Sequence, residues 1–248
     1  MRAEPWRPRA GPARACLSVP YSLSCPFAHG DFTMHIEPGF LSDAKIMAAN
    51  VAAVGLLAAH APALMRRPAL WLRTLLAAVF FSVFMESFHL PVGPSELHFI
   101  GAMPVYVLFG LLPTLFGFAL GLLMQGLLFE PQDLVHLAVN ALSLIVPLLA
   151  VHHTLGRRLG EGTPGLAALL KLDGTYYAGV TLMVGFWLAS GEQAVSLAEW
   201  GRFAASYLGV VALEPLVTIA LVRGAAALRS QRWARVCLDE RLTLAGAA

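Results

Sequence analysis

The stretch "LHFIGAMPVYVLFGLLPTLFGFALGLLMQGLLF" (Leu97–Phe129) runs for 33 residues without an Asp, Glu, Lys or Arg. A helix crossing the hydrocarbon core of a bilayer needs roughly 20 apolar residues, so this run is too long for one crossing and suits two. Its interior is interrupted at "FGLLPTLFG" (Phe109–Gly117), where Pro113 lacks the N–H that a helix ladder requires. The pattern therefore predicts two helices divided at Pro113.

Working outward, similar apolar runs follow on both sides. Upstream lie Ala44–Met65 and Ala69–Leu90, the second with Arg73 near its start, placed to snorkel to the interface. Downstream lie Leu134–Leu155, Asp173–Ser190 and Glu199–Leu228. The expected fold is an all-α integral membrane protein, a bundle of about seven transmembrane helices over residues 34–228. Composition agrees: 58% of the 248 residues are apolar and 13% charged, with a mean hydropathy of +0.69, where a soluble domain carries about 25% charged residues. A net charge of +2 with scattered Arg excludes a nucleic-acid footprint. Cys16, Cys25 and Cys237 have no metal-ligand spacing.

Charge placement orients the bundle. Arg66, Arg67 and Arg73, then Arg157, Arg158 and Lys171, then Arg223, Arg229, Arg232, Arg235 and Arg241 gather on one side. The loops "LPVGPSEL", "EPQD" and "SGEQAVSLAE" on the other side hold no Lys or Arg, and only Arg202 runs against the pattern. By the positive-inside rule residue 34 lies outside, and the basic tail 229–248 is cytoplasmic. Residues 1–33 do not fit this frame, because Arg2, Arg7, Arg9 and Arg14 would sit outside. The segment lacks the continuous apolar core of a signal peptide and has the composition of disorder. The expectation is a leader that is non-native or removed, with Met34 as the first residue of the working protein.

Eight His are sorted by this topology. His35, His89, His98 and His136 fall at outer ends of spans, His60, His152 and His153 at inner ends, and His29 in the leader. A lone interfacial His is ordinarily structural, but ionisable groups gathered near membrane depth mark function. If Met34 carries a free amine, that amine, the His35 amide nitrogen and the His35 imidazole form fused chelate rings. Such rings favour the planar nitrogen geometry of Ni(II) or Cu(II), and a distant imidazole such as His98 would complete it.

At these residues "MHIEPGFLS" resembles the amino-terminal signature of the CbiM/NikM family, substrate-binding membrane components of energy-coupling-factor (ECF) transporters for cobalt and nickel. "PVGPSELHFIGA" resembles the family's Pro-x-Gly-x-Ser-x-x-His loop and the helix after it. "LLMQGLLFEPQDLVHLAVNAL" resembles its Gln-x-Leu-Leu-Phe stretch and following helix, and "ALEPLVTIALV" the Glu-x-x-x-Thr pattern of its last helix. The resemblance covers Met34 to about Val222. It implies that Met34 (by its amine), His35 and His98 bind the metal, with Ni(II) or Co(II) as transported substrate and no organic cofactor. It further implies a bacterial cytoplasmic (inner) membrane location. The partners it implies are ABC-type ATPase subunits, a transmembrane coupling subunit and a small accessory membrane subunit. Leu97 replaces a common Gly before the second His, and "EPQD" is stiffer than the usual Gly-rich loop. His89 and His136 fall outside the pattern and stand as accessory candidates.

Gln125 and Asn140 carry amides suited to holding a loop or a ligand imidazole. Glu214, directly before Pro215, is suited either to freed backbone near the proline or to a partner helix. Gly117, Ala119, Gly121 and Gly126 permit close helix packing. The chain has no G-x-x-x-x-G-K-[ST] phosphate loop, so ATP hydrolysis would fall to partners and the chain is not expected to be an enzyme. Three other readings share parts of this pattern. A metal sensor or storage protein would use the same site without transport. An intramembrane metalloenzyme would need a motif such as H-E-x-x-H, which does not occur. A secondary transporter would show repeated halves, and none is visible.

Overall fold

The computed structural model describes residues 40–92, 95–159, 164–192, 195–228 and 230–244. The leader 1–33, Met34 and His35 lie outside the described residues. Helix α1 (Asp43–Met65) begins after Ser42 with Asp43 in its first turn, and α2 (Ala69–Ser87) follows the Arg66–Pro68 corner. An antiparallel hairpin comes next, β1 (His89–Val92) paired with β2 (Ser95–His98). The short helix α3 (Ala102–Phe109) and then α4 (Leu111–Leu128) follow. A 3-10 turn (Pro131–His136) leads into α5 (Leu137–Thr154). Beyond it stand α6 (Leu166–Ser190), α7 (Leu197–Ala227), and the small helices α8 (Arg232–Cys237) and α9 (Glu240–Leu244).

Among the described residues, five helical segments are long and apolar enough to cross a membrane: α1, α2, α4, the 3-10 turn with α5, and α7. Helix α6 has the length, at 25 residues. Helix α3 does not: its eight residues rise about 12 Å, against roughly 30 Å of hydrocarbon. The third predicted span is thus a strand followed by a half-helix, and the "LPVGPSEL" loop is part of a hairpin. Non-helical backbone at this depth is tolerated only inside protein, and every residue of α3 is buried.

The break between α3 and α4 falls at Gly110, not Pro113. Gly110 has φ +86°, a region that β-carbon residues rarely enter. A Cβ there would also overlap the Asp239 carboxylate. Pro113 sits in the first turn of α4, where a missing N–H costs nothing. The C-terminal segment explains the location of the break: the Asp239 N–H donates to Leu108 O at 2.7 Å. Arg241 Nε donates to Asp239 Oδ1 at 2.9 Å, and its guanidinium lies over the Tyr106 ring. Arg73 is buried and donates from Nε to Val236 O at 2.8 Å rather than snorkelling. The basic tail is therefore a strap of two short helices across one end of the bundle.

Packing follows residue size. Gly117 and Gly121 bring α4 against α2: a Cβ at Gly117 would lie 2.6 Å from the Ala77 Cβ, and one at Gly121 2.5 Å from Phe81 Cδ1. Helix α1 presents Met47, Val51 and Val54 outward, as a lipid-facing helix does. Most of α5 is buried at the centre.

Candidate functional site

Because the long helices alternate in direction, the start of α1, the hairpin, the 3-10 turn, the end of α6 and the start of α7 share one end of the bundle. Phe40 is held there, accepting from the Glu192 N–H at 3.1 Å, and Lys45 donates to Ser190 O.

His98 ends β2 and is 4% exposed. Its register partner across the ladder is His89, so a chain reading that separates these two by a loop understates their closeness. The Tyr207 hydroxyl is hydrogen-bonded to the His98 backbone. Three residues on, Gly101 has φ +63° and packs against Phe84, turning the chain from the strand into α3.

Glu214 fixes that turn. It is fully buried in α7 and accepts at Oε1 from the Met103 N–H at 2.8 Å, while Oε2 accepts from the Tyr177 hydroxyl. The Gly101 backbone is within its reach as well. The N–H groups of a helix's first turn have no partner within the helix, and the helix dipole favours an anion there. Glu214 supplies both needs for α3. Of the two roles open to it from sequence, the structure has it bonding backbone, but that of α3 rather than that freed beside Pro215.

Asp173 was expected at the membrane edge of the sixth span. The helix instead begins at Leu166, so Asp173 sits inside the bundle, with 0% exposure, beside Glu214. Its carboxyl is hydrogen-bonded to that of Glu214. Tyr177 stacks on Tyr207 with centroids 5.0 Å apart, and Tyr176 meets Tyr177 edge-on at 5.3 Å. Sequence reading missed this cluster; its signal was a carboxylate seven residues inside an apolar helix, easily taken for a boundary.

The other candidates are spread along the same end. His136 is fully buried where the 3-10 turn meets α5. Gln125 is buried and donates from Nε2 to Glu86 Oε1 at 3.3 Å, and Asn140 is buried one turn into α5. Gly126 lets Leu134 close over α4, since a Cβ would approach Leu134 Cδ2 at 2.5 Å. At the opposite end, His152 Nδ1 pairs with the Tyr106 hydroxyl at 2.8 Å. His60 Nδ1 pairs with Leu56 O at 2.9 Å, a structural role. Among the described residues, no three His, Cys, Asp or Glu side chains form a group able to hold a metal ion.

A family model described as CbiM, cobalt uptake substrate-specific transmembrane region, matches residues 35–232. No curated protein and no solved structure matches the chain.

Proposed function

The chain belongs to the CbiM family, cobalt uptake substrate-specific transmembrane components, and from that premise we propose that it captures Co(II) or Ni(II) at the outer face for an energy-coupling-factor ABC importer. In this reading the Met34 amine, the His35 amide and imidazole, and the His98 imidazole bind the ion. Separate ABC-type ATPase subunits and a transmembrane coupling subunit drive its release into the cytoplasm of a bacterium. Seven helical segments, six of them long and one a half-helix, stand across the inner membrane, with the hairpin end outside and the basic strap inside.

The observation that carries the reading is His98, buried at the tip of a strand and braced from beneath by Glu214 through the start of α3. Metal ligands are held by such outer partners, and a ligand on a fixed strand loses little freedom on binding. His89, opposite His98 in the ladder, is the accessory candidate that the register favours, ahead of His136. Gln125 and Asn140 act as supports of the loop-bearing end.

The test is Co(II) and Ni(II) titration of the purified protein. His98→Ala is expected to abolish tight binding with the fold intact, and His89→Ala to weaken it less. Unchanged affinity in His98→Ala would remove that residue from the site. Equal losses would make His89 a full ligand. A sensor or storage protein would bind equally well, and is distinguished by the absence of ATP-dependent uptake when the ATPase and coupling subunits are co-expressed.

A further inference from the structure

Helix α7 holds the segment that carries His98 at two points. Glu214 accepts from the Met103 N–H at the start of α3, and the Tyr207 hydroxyl is hydrogen-bonded to the His98 backbone. These two side chains stand seven residues apart on one buried face of α7, with Val210 between them, a spacing of about two helical turns. The hairpin explains why the second hold is needed. In an antiparallel ladder, pairs that exchange hydrogen bonds alternate with pairs whose N–H and C=O point away from the partner strand. The Phe99 N–H donates to Phe88 O at 3.2 Å, and these residues extend the register by one, so the next pair, His89 and His98, is of the outward-pointing kind. Strand β1 therefore leaves the His98 N–H to find a partner elsewhere, as a buried backbone donor must. Tyr207 provides it.

We infer that Tyr207 is a positioning residue for the metal ligand His98, acting through the His98 backbone rather than on the ion. This deepens the capture reading above and rests on it for the role of His98. Tyr207 is itself fixed. It is 4% exposed, its ring stacks on Tyr177 with centroids 5.0 Å apart, and Phe203 meets it edge-on at 5.3 Å. The Tyr177 hydroxyl in turn donates to Glu214, so the two holds on the His98–Met103 segment are joined to each other. His98 is the last residue of β2, where the ladder ends and the chain turns at Gly101. A bond to the backbone at that place sets the direction of the Cα–Cβ bond, and with it the arc that the imidazole can sweep. Partners that orient a ligand in this way are worth as much to a metal site as many direct contacts.

The experiment is Co(II) titration of the purified full chain in detergent, read by equilibrium dialysis and by the visible absorption of bound Co(II). Wild type, Tyr207→Phe, Phe203→Leu and His98→Ala are compared. Tyr207→Phe keeps the ring and its stacking and removes only the hydroxyl. It is expected to raise the Co(II) Kd about 10- to 100-fold and, at saturating Co(II), to shift the absorption bands, because the imidazole then meets the ion from another direction. Phe203→Leu loosens the same aromatic cluster without touching that bond, and is expected to lower the thermal unfolding midpoint with the bands in place. His98→Ala is expected to lose tight binding. Unshifted bands in Tyr207→Phe, or equal shifts in Tyr207→Phe and Phe203→Leu, overturn the positioning role and leave capture standing. Wild-type affinity in His98→Ala overturns capture by His98 and the positioning role with it. In the wild-type chain the His98 amide is expected to exchange its hydrogen as slowly as that of Phe99, and fast exchange there overturns the positioning role without any variant.

Discussion

Gly101→Ala tests the link between backbone conformation and metal capture. Gly101 has φ +63° and ψ +33°, the left-handed region, which costs a residue with a β-carbon about 1–2 kcal/mol. The new methyl would overlap the Phe84 ring, with Phe84 Cε2 at 2.6 Å from the built Cβ. That ring cannot swing freely, because Phe80 and Phe99 pack edge-on against it at 6.2 and 5.6 Å. Overpacking of this kind adds about 1–3 kcal/mol, so the substitution is expected to cost about 2–5 kcal/mol in all. Measured by reversible unfolding in mixed detergent, the cost should fall to about 1–2 kcal/mol in a Phe84→Ala background, where only the backbone part remains. Because Gly101 stands three residues from His98, the Co(II) Kd should also rise about tenfold or more, the equivalent of ~1.4 kcal/mol. A cost below about 0.5 kcal/mol, or one equal in both backgrounds, would refute the reasoning.

Two further outcomes concern the scaffold. Gly117→Ala should destabilise the bundle by about 1–3 kcal/mol, since the Cβ would meet Ala77 Cβ at 2.6 Å and the Ala78 backbone nitrogen at 3.1 Å; thermal unfolding in detergent reads it, and a neutral result would mean that α2 and α4 slide apart readily. Arg73→Ala should cost about 1.5–3 kcal/mol through the lost charge-assisted bond to Val236 O, and should make residues 230–244 the first site of limited proteolysis. Unchanged cleavage there would show that the strap is held by other contacts.

The long apolar helices were legible because their signal is local: α1, α2, α5 and α7 each begin or end within three residues of the hydropathy pattern. The half-helix was not, because a strand and eight helical residues are as apolar as a continuous span. Pro113 misled for a physical reason, since a proline that breaks a helix interior is welcome in its first turn. The true break at Gly110 depends on Asp239, which no reading of neighbouring residues could supply. Asp173 reads as an edge because a lone carboxylate normally marks one, and its neighbour Glu214 belongs to a different helix. Of the candidate residues, His89 and His98 are register partners in the hairpin, and Glu214 bonds the start of α3. Met34 and His35 fall outside the described residues.

The seat of Asp239 on the Gly110 break also sets an order of assembly. The Leu108 carbonyl receives its bond from the Asp239 N–H, and the Asp239 carboxylate fills the space beside Gly110, from a strap made after the last long helix described. During synthesis the ribosome still covers that residue when every long helix has already been made. The half-helix beneath His98 therefore waits, with one carbonyl unmet, until Asp239 has emerged. Docking of α3 is thereby tied to synthesis of the strap, so a nascent chain truncated before Asp239 would insert its spans without ever locking α3 in place.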